Sequence, residues 1–178
     1  GLRFSEFKPE LNVLENPDVT ALPQYRGLDW GMDHPTVCLW ARLDRDRKHI
    51  YITDEFVKSG FTIEESCGAI KLRTQGQVQW SVIDPSTKKR NSQTKRSDSL
   101  EFSRNGIPVL LGDNGNRGYD IVQMFFKKGI LKIHPKCKTL IYELKNLQKS
   151  DLEGDDATDA LRYLCVRIHD FMFGMNIL

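Results

Sequence analysis

The chain has 178 residues and a mass of 20.5 kDa, enough for one domain with a full core and too few for two ordinary ones. Hydrophobic residues make up 39% and charged residues 28%, and no apolar run approaches the roughly 18 residues of a membrane span, so no membrane anchor is expected. A net charge of +2 is uninformative as an average, but its distribution is not: "KKRNSQTKR" (88–96) carries five cations and no acid, and "DLEGDDATD" (151–159) five acids and no base.

The N-terminal segment 1–24, "GLRFSEFKPELNVLENPDVTALPQ", holds three prolines and no sustained periodicity. It reads as an extended arm or interdomain linker, with no secretion-signal pattern, and the folded domain is expected over 25–178. "YRGLD" then begins a run of three strands, the second and third being "TVCLWARL" and "HIYITDEFV" joined by the charged turn "DRDRK".

"FTIEESCGAIKLRTQG" predicts a helix capped by Thr62 with Glu65 three residues on, its inner face drawn from Ile63, Ala69, Ile70 and Leu72, and Gly76 as its stop. "WSVID" is a short buried strand that ends in Asp84 before a proline. Beyond the basic loop come a helix in "SDSLEFSRN", a strand in "IPVLL", an amphipathic helix in "GYDIVQMFFKKG", a strand in "ILKIH" and a helix in "TLIYELKNL". In the last helix Ala157, Ala160, Leu161, Leu164, Cys165 and Ile168 share one face. A strand meander followed by alternating helices and strands predicts an α/β fold, a mixed sheet with helices on both faces, in the order of ribonuclease H-like folds.

Cys38, Cys67, Cys137 and Cys165 are scattered without paired spacing, which disfavours a zinc ribbon and a disulfide framework and favours a reducing compartment. His34 and His134, each before a proline, read as loop residues, and "MFF" (124–126) as core.

The chemistry is expected in the carboxylates. Asp29 and Asp84 each end a strand; if those strands lie parallel and adjacent, both side chains emerge at one sheet edge. Asp155, Asp156 and Asp159 open the last helix and can join them there. Acids gathered so closely repel one another unless divalent cations lie between them, and an oxygen-rich site favours magnesium or manganese over zinc. Two such ions about 3.5 to 4 Å apart suit phosphodiester hydrolysis. Singly, each acid is equally a turn former or a helix cap.

"YRGLDWG", "VIDPSTKKR", "NGIPVLLGDN", "CKTLIYELKNL" and "GDDATDALRYL", in this order, resemble the nuclease domain of the large terminase subunit of tailed bacteriophages, and "FSEFKP" resembles the segment that joins that nuclease to its ATPase. The resemblance covers most of the chain. It implies a ribonuclease H-like endonuclease that cuts concatemeric double-stranded viral DNA during packaging in the host cytoplasm, with two Mg2+ or Mn2+ ions.

Carried over by position, Asp29 is the first-strand ligand, Asp84 the ligand bridging both ions and Asp156 the ligand from the last helix. Asp155 competes with Asp156 for that role, and Asp159 resembles a further family acid. Lys88, Lys89, Arg90, Lys95 and Arg96 match a region that forms a mobile hairpin near the cleft, and are the expected DNA contacts. The chain has no "GxxxxGK[ST]" loop. The resemblance therefore implies an excised nuclease domain, monomeric alone, whose full-length form adds an ATPase domain, a portal and a small terminase subunit as partners. A packaging module of this fold that binds DNA or portal without cutting is the alternative. Phosphotransfer ranks below both, because "DWGMDHPT" is a poor phosphate loop.

Overall fold

The computed structural model describes residues 1–15 and 17–174; the last four residues of the expected domain lie outside them. Among the described residues six strands form one mixed sheet in the order β5-β4-β1-β2-β3-β6. The meander is β1 (Gln24–Asp29), β2 (Thr36–Asp44) and β3 (His49–Lys58), paired antiparallel. β4 (Trp80–Ile83) lies parallel to β1 with Leu28 opposite Ile83, β5 (Leu110–Leu111) parallel to β4, and β6 (Leu131–Ile133) parallel to β3. The strand expected over "IPVLL" thus pairs only through its last two residues, against Val82 and Ile83. Ile107 is instead buried under the sheet beside Phe102.

Strand alternation assigns the two faces. Val37, Leu39, Ala41 and Leu43 of β2 face α4 (Arg117–Lys127), α5 (Lys138–Asn146) and α6 (Asp156–Phe173), and form the larger core with Phe125, Phe126, Leu140, Leu144, Leu161 and Leu164. Cys38 and Trp40 point the other way, onto α2 (Ile63–Arg73) and α3 (Asp98–Arg104), beside Leu28, Cys67, Ile70 and Phe102. The fold is therefore α/β and ribonuclease H-like, with helices on both faces. All six apolar residues expected on the inner face of the last helix are fully buried. Burial at these positions supplies most of the stabilisation, at about 25 cal/mol per Å² of apolar surface.

α2 begins as the sequence predicts, with Thr62 Oγ1 accepting from the Glu65 amide and Glu65 returning the bond to the Thr62 amide, both at 3.1 Å. Its inner face differs from expectation at one position. Leu72 is 90% exposed, because two residues past the buried Ile70 a helix has turned by about 200°.

The described residues before β1 carry a short helix, α1 (Pro9–Asn12), and isolated bridges at Leu2 and Val13, yet they are packed onto the domain, and β1 starts at Gln24, inside the expected arm. Phe4 and Phe7 enter the larger core, Phe7 meeting Phe126 edge-on, and buried Asn12 donates to the carbonyls of Phe126 and Leu131. Periodicity could not reveal this, since isolated phenylalanines in a proline-containing segment have no period. All four cysteines are buried and unpaired. Among the described residues no helix is long and apolar enough to cross a membrane.

Candidate metal centre

β1 and β4 are parallel neighbours, so the residues that follow the Leu28–Ile83 pair, Asp29 and Asp84, leave the sheet at the same edge. Both are 6% exposed. The close approach of α6 completes the geometry. A Cβ built on Gly27 of β1 would lie 2.7 Å from the Ala160 carbonyl oxygen and 2.8 Å from Leu164 Cδ1, so only glycine lets the helix sit this near the strand. The first turn of α6 is thereby brought to the C-terminal end of β1, and Asp29, Asp84, Asp155, Asp156 and Asp159 all line one open cleft of about 840 Å³.

The five expected acids are not equivalent. One ligand-capable atom each of Asp29, His34 and Asp156 lies within 4.8 Å of the other two. Asp84 lines the same cleft, but its Oδ1 accepts from the Trp30 amide at 3.3 Å and its Oδ2 accepts from the Ser86 hydroxyl. Asp159 is 3.0 Å from Arg162, a buried arginine whose guanidinium also donates to the Asn114 carbonyl and lies over the rings of Tyr119 and Tyr163. Asp155 precedes the helix without capping it.

Glu143 of α5 takes that capping role. It is buried at the back of the cleft, and its carboxylate accepts from the amides of Ala157 at 3.3 Å and Thr158 at 2.9 Å. Glu55 of β3 does the same for α5, accepting from Thr139 and Leu140, both at 3.0 Å. These long-range caps have no local sequence signature, which is why neither glutamate stands out in the chain.

His34, expected to be a loop residue, belongs to the cleft: its Nδ1 is 2.8 Å from Asp156 Oδ1. The 31–36 turn that carries it is closed by Thr36, whose hydroxyl donates to the Gly31 carbonyl and accepts from the Gly31 amide. A side chain at Gly31 would collide with the imidazole ring. The glycine after Asp29-Trp30 was thus the one available hint. His134 stays outside, accepting at Nδ1 from the Lys136 amide.

The electrostatics point to missing positive charge. Burial first, then the charges of Asp84, Asp159 and Asp156, hold the Asp29 carboxyl far above the ordinary carboxylate range. Burial and Asp155 push Asp159 up to about 6 against the pull of Arg162, and burial pushes Glu143 up to about 7. Burial and mutual repulsion thus raise the proton affinity of Asp29 and Asp159, and a divalent cation between the carboxylates would offset that repulsion. Their oxygen atoms, joined by one imidazole, fit a divalent ion.

The basic segment begins where the site ends. After Asp84 a single 3-10 turn (Pro85–Lys88) leads into a loop closed by the pairing of Arg90 with Ser97 and by the Asn91 amide on the Arg96 carbonyl. Lys88, Lys89, Arg90, Lys95 and Arg96 are all exposed on it. They do not line the acidic cleft; Arg96 turns toward Glu101 at 3.4 Å and a neighbouring groove beside Trp30.

This fold recurs in known structures. The nuclease domain of the bacteriophage P22 large terminase superimposes with a TM-score of 0.77 at 18% identity, covering 94% of this chain and 93% of that one. The chain has the fold of a large terminase nuclease domain. The large terminase of the thermophilic bacteriophage D6E, in complex with ADP, matches with a TM-score of 0.78 at 18% identity over 98% of this chain, which spans 46% of that longer protein. The SPP1 large terminase nuclease domain, with bound manganese, matches with a TM-score of 0.62 at 17% identity, covering 94% of this chain and 99% of its own. No protein-family model and no curated protein matches the sequence.

Proposed function

We propose that the chain is a divalent-metal-dependent endonuclease that cuts double-stranded DNA, in the setting of phage genome packaging. The observation that carries this reading is the meeting of Asp29, Asp84 and Asp156, drawn from three distant parts of the sequence, in one open acidic cleft of a terminase nuclease fold. Asp29 and Asp156, joined by His34, would hold a divalent ion, Asp84 would add a further ligand from the end of β4, and Asp155 and Asp159 would contribute carboxylate charge to the same cleft. Divalent ions held there supply Lewis acidity toward a phosphodiester and stabilise the charge that develops on the leaving oxygen. Magnesium or manganese suits the oxygen-rich donors, and two ions match the number of carboxylates. The basic loop holds the DNA backbone without reading sequence. Cutting of concatemers, and assembly with an ATPase domain, portal and small subunit, belong to the same proposal, as does activity in the host cytoplasm.

The test is conversion of supercoiled plasmid to nicked and linear forms. Cleavage with Mn2+ or Mg2+, its loss in excess chelator and its loss in Asp84→Asn with unchanged circular dichroism are expected. DNA binding with no cutting under any divalent ion would leave only the non-catalytic packaging module.

A further inference from the structure

α5 divides its residues sharply. Leu140 and Leu144 enter the core and Glu143 holds α6, whereas Lys138, Tyr142 and Lys145, at i, i+4 and i+7, form one outward stripe. Tyr142 is 67% exposed, has no core role, and with Thr139 lines the acidic cleft. Lys138 and Lys145 are exposed and, among the described residues, neither takes part in an ion pair.

The sheet order sets where this stripe lies. The basic loop leaves β4, on one side of β1, whereas α5 follows β6 and is tied to β3 through Glu55, on the other side. A cleft of carboxylates repels a phosphate backbone, so a duplex laid across it needs cations on both flanks. We propose that the outward face of α5 is a second nucleic-acid contact, which holds the duplex backbone on the side of the cleft away from the basic loop. The two lysines, about 10 Å apart along the helix at 1.5 Å per residue, take phosphates, and the Tyr142 ring lies against the sugar and base edge between them. This inference rests on the nuclease reading.

The experiment is fluorescence anisotropy of a labelled 25-base-pair duplex in chelator, over a salt series, with the wild-type chain, Lys138→Gln/Lys145→Gln, Tyr142→Ala and the control Lys127→Gln/Lys128→Gln. The control pair is exposed just before β6, at the end of the sheet remote from Asp29. The α5 double variant is expected to bind roughly tenfold more weakly at 100 mM salt and to lower the salt slope by about two. Tyr142→Ala is expected to weaken binding several-fold with little change in slope, and the control to change neither. Equal losses in the control and the α5 variant would overturn the inference, since bulk charge would then explain both. Wild-type affinity and slope in the α5 variant would also overturn it, and continued plasmid cleavage by the wild type would show that the nuclease reading survives.

Discussion

The carboxylate of Glu143 accepts a 2.9 Å hydrogen bond from the backbone amide of Thr158, and through it the position of Asp156 and Asp159 depends on a different helix. Glu143 is itself carried by a helix whose N-terminal amides are held by Glu55. The acids of α6 are therefore placed by a relay running from β3 through α5. Glu143→Ala leaves the Ala157 and Thr158 amides unpaired in a buried setting and is expected to destabilise the domain by about 2 to 3 kcal/mol. Denaturant titration measures this, and manganese titration by calorimetry is expected to show weakened binding as well. A stability loss with unaltered manganese affinity would deny Glu143 its positioning role.

The same residue predicts a pH dependence. Burial raises Glu143 from 4.5 to about 7 in the folded chain, so its contribution to stability is complete below about 4.5 and is lost as pH rises through about 7. Glu143→Gln cannot titrate. Between pH 5 and 8 this variant is expected to lose less stability than the wild type, and parallel curves would contradict the assignment.

Asp29 acts in the same direction and more strongly. Its folded-state proton affinity is raised, so the metal-free protein is expected to become less stable as pH rises above the usual carboxylate range of about 4. Asp29→Asn is expected to melt higher than the wild type at pH 8 in chelator. Added Mn2+ is expected to raise the melting temperature of the wild type and leave that variant nearly unchanged. A manganese-induced rise of equal size in both would remove Asp29 from the ligand set.

His34 stands 2.8 Å from Asp156, and its side chain is 46% exposed. Its removal should therefore cost little stability. His34→Ala is expected to leave the melting temperature in chelator unchanged and to raise the manganese concentration for half-maximal cleavage roughly tenfold. An unchanged metal requirement would return it to the status of a loop residue.

Gly27 gives a steric test. In Gly27→Ala the new methyl meets the Ala160 carbonyl, backbone that cannot swing aside, and α6 must retreat from β1. A loss of about 1 to 3 kcal/mol is expected, together with a fall in cleavage larger than the unfolded fraction explains. Full activity in the folded fraction would show that α6 placement tolerates the shift.

What the sequence determined by itself was whatever repeats locally or is written in a contiguous signal. The contiguous apolar run of β2, the Thr62–Glu65 capping box and the six-residue apolar face of the last helix are such signals, and strand and helix order followed from them. The strand-end positions of Asp29 and Asp84 were legible because an aspartate closing an apolar strand is a local pattern. The tertiary structure alone decided that β1 and β4 are neighbours, that α6 approaches β1 across Gly27, and that His34 folds back onto Asp156. It also seated Phe4 and Phe7 in the core and set Glu55 and Glu143 as caps for helices far along the chain. The physical reason is the range of the forces. Periodicity and capping act within a few residues, whereas the cleft exists only where packing brings distant carboxylates close enough to shift one another's protonation.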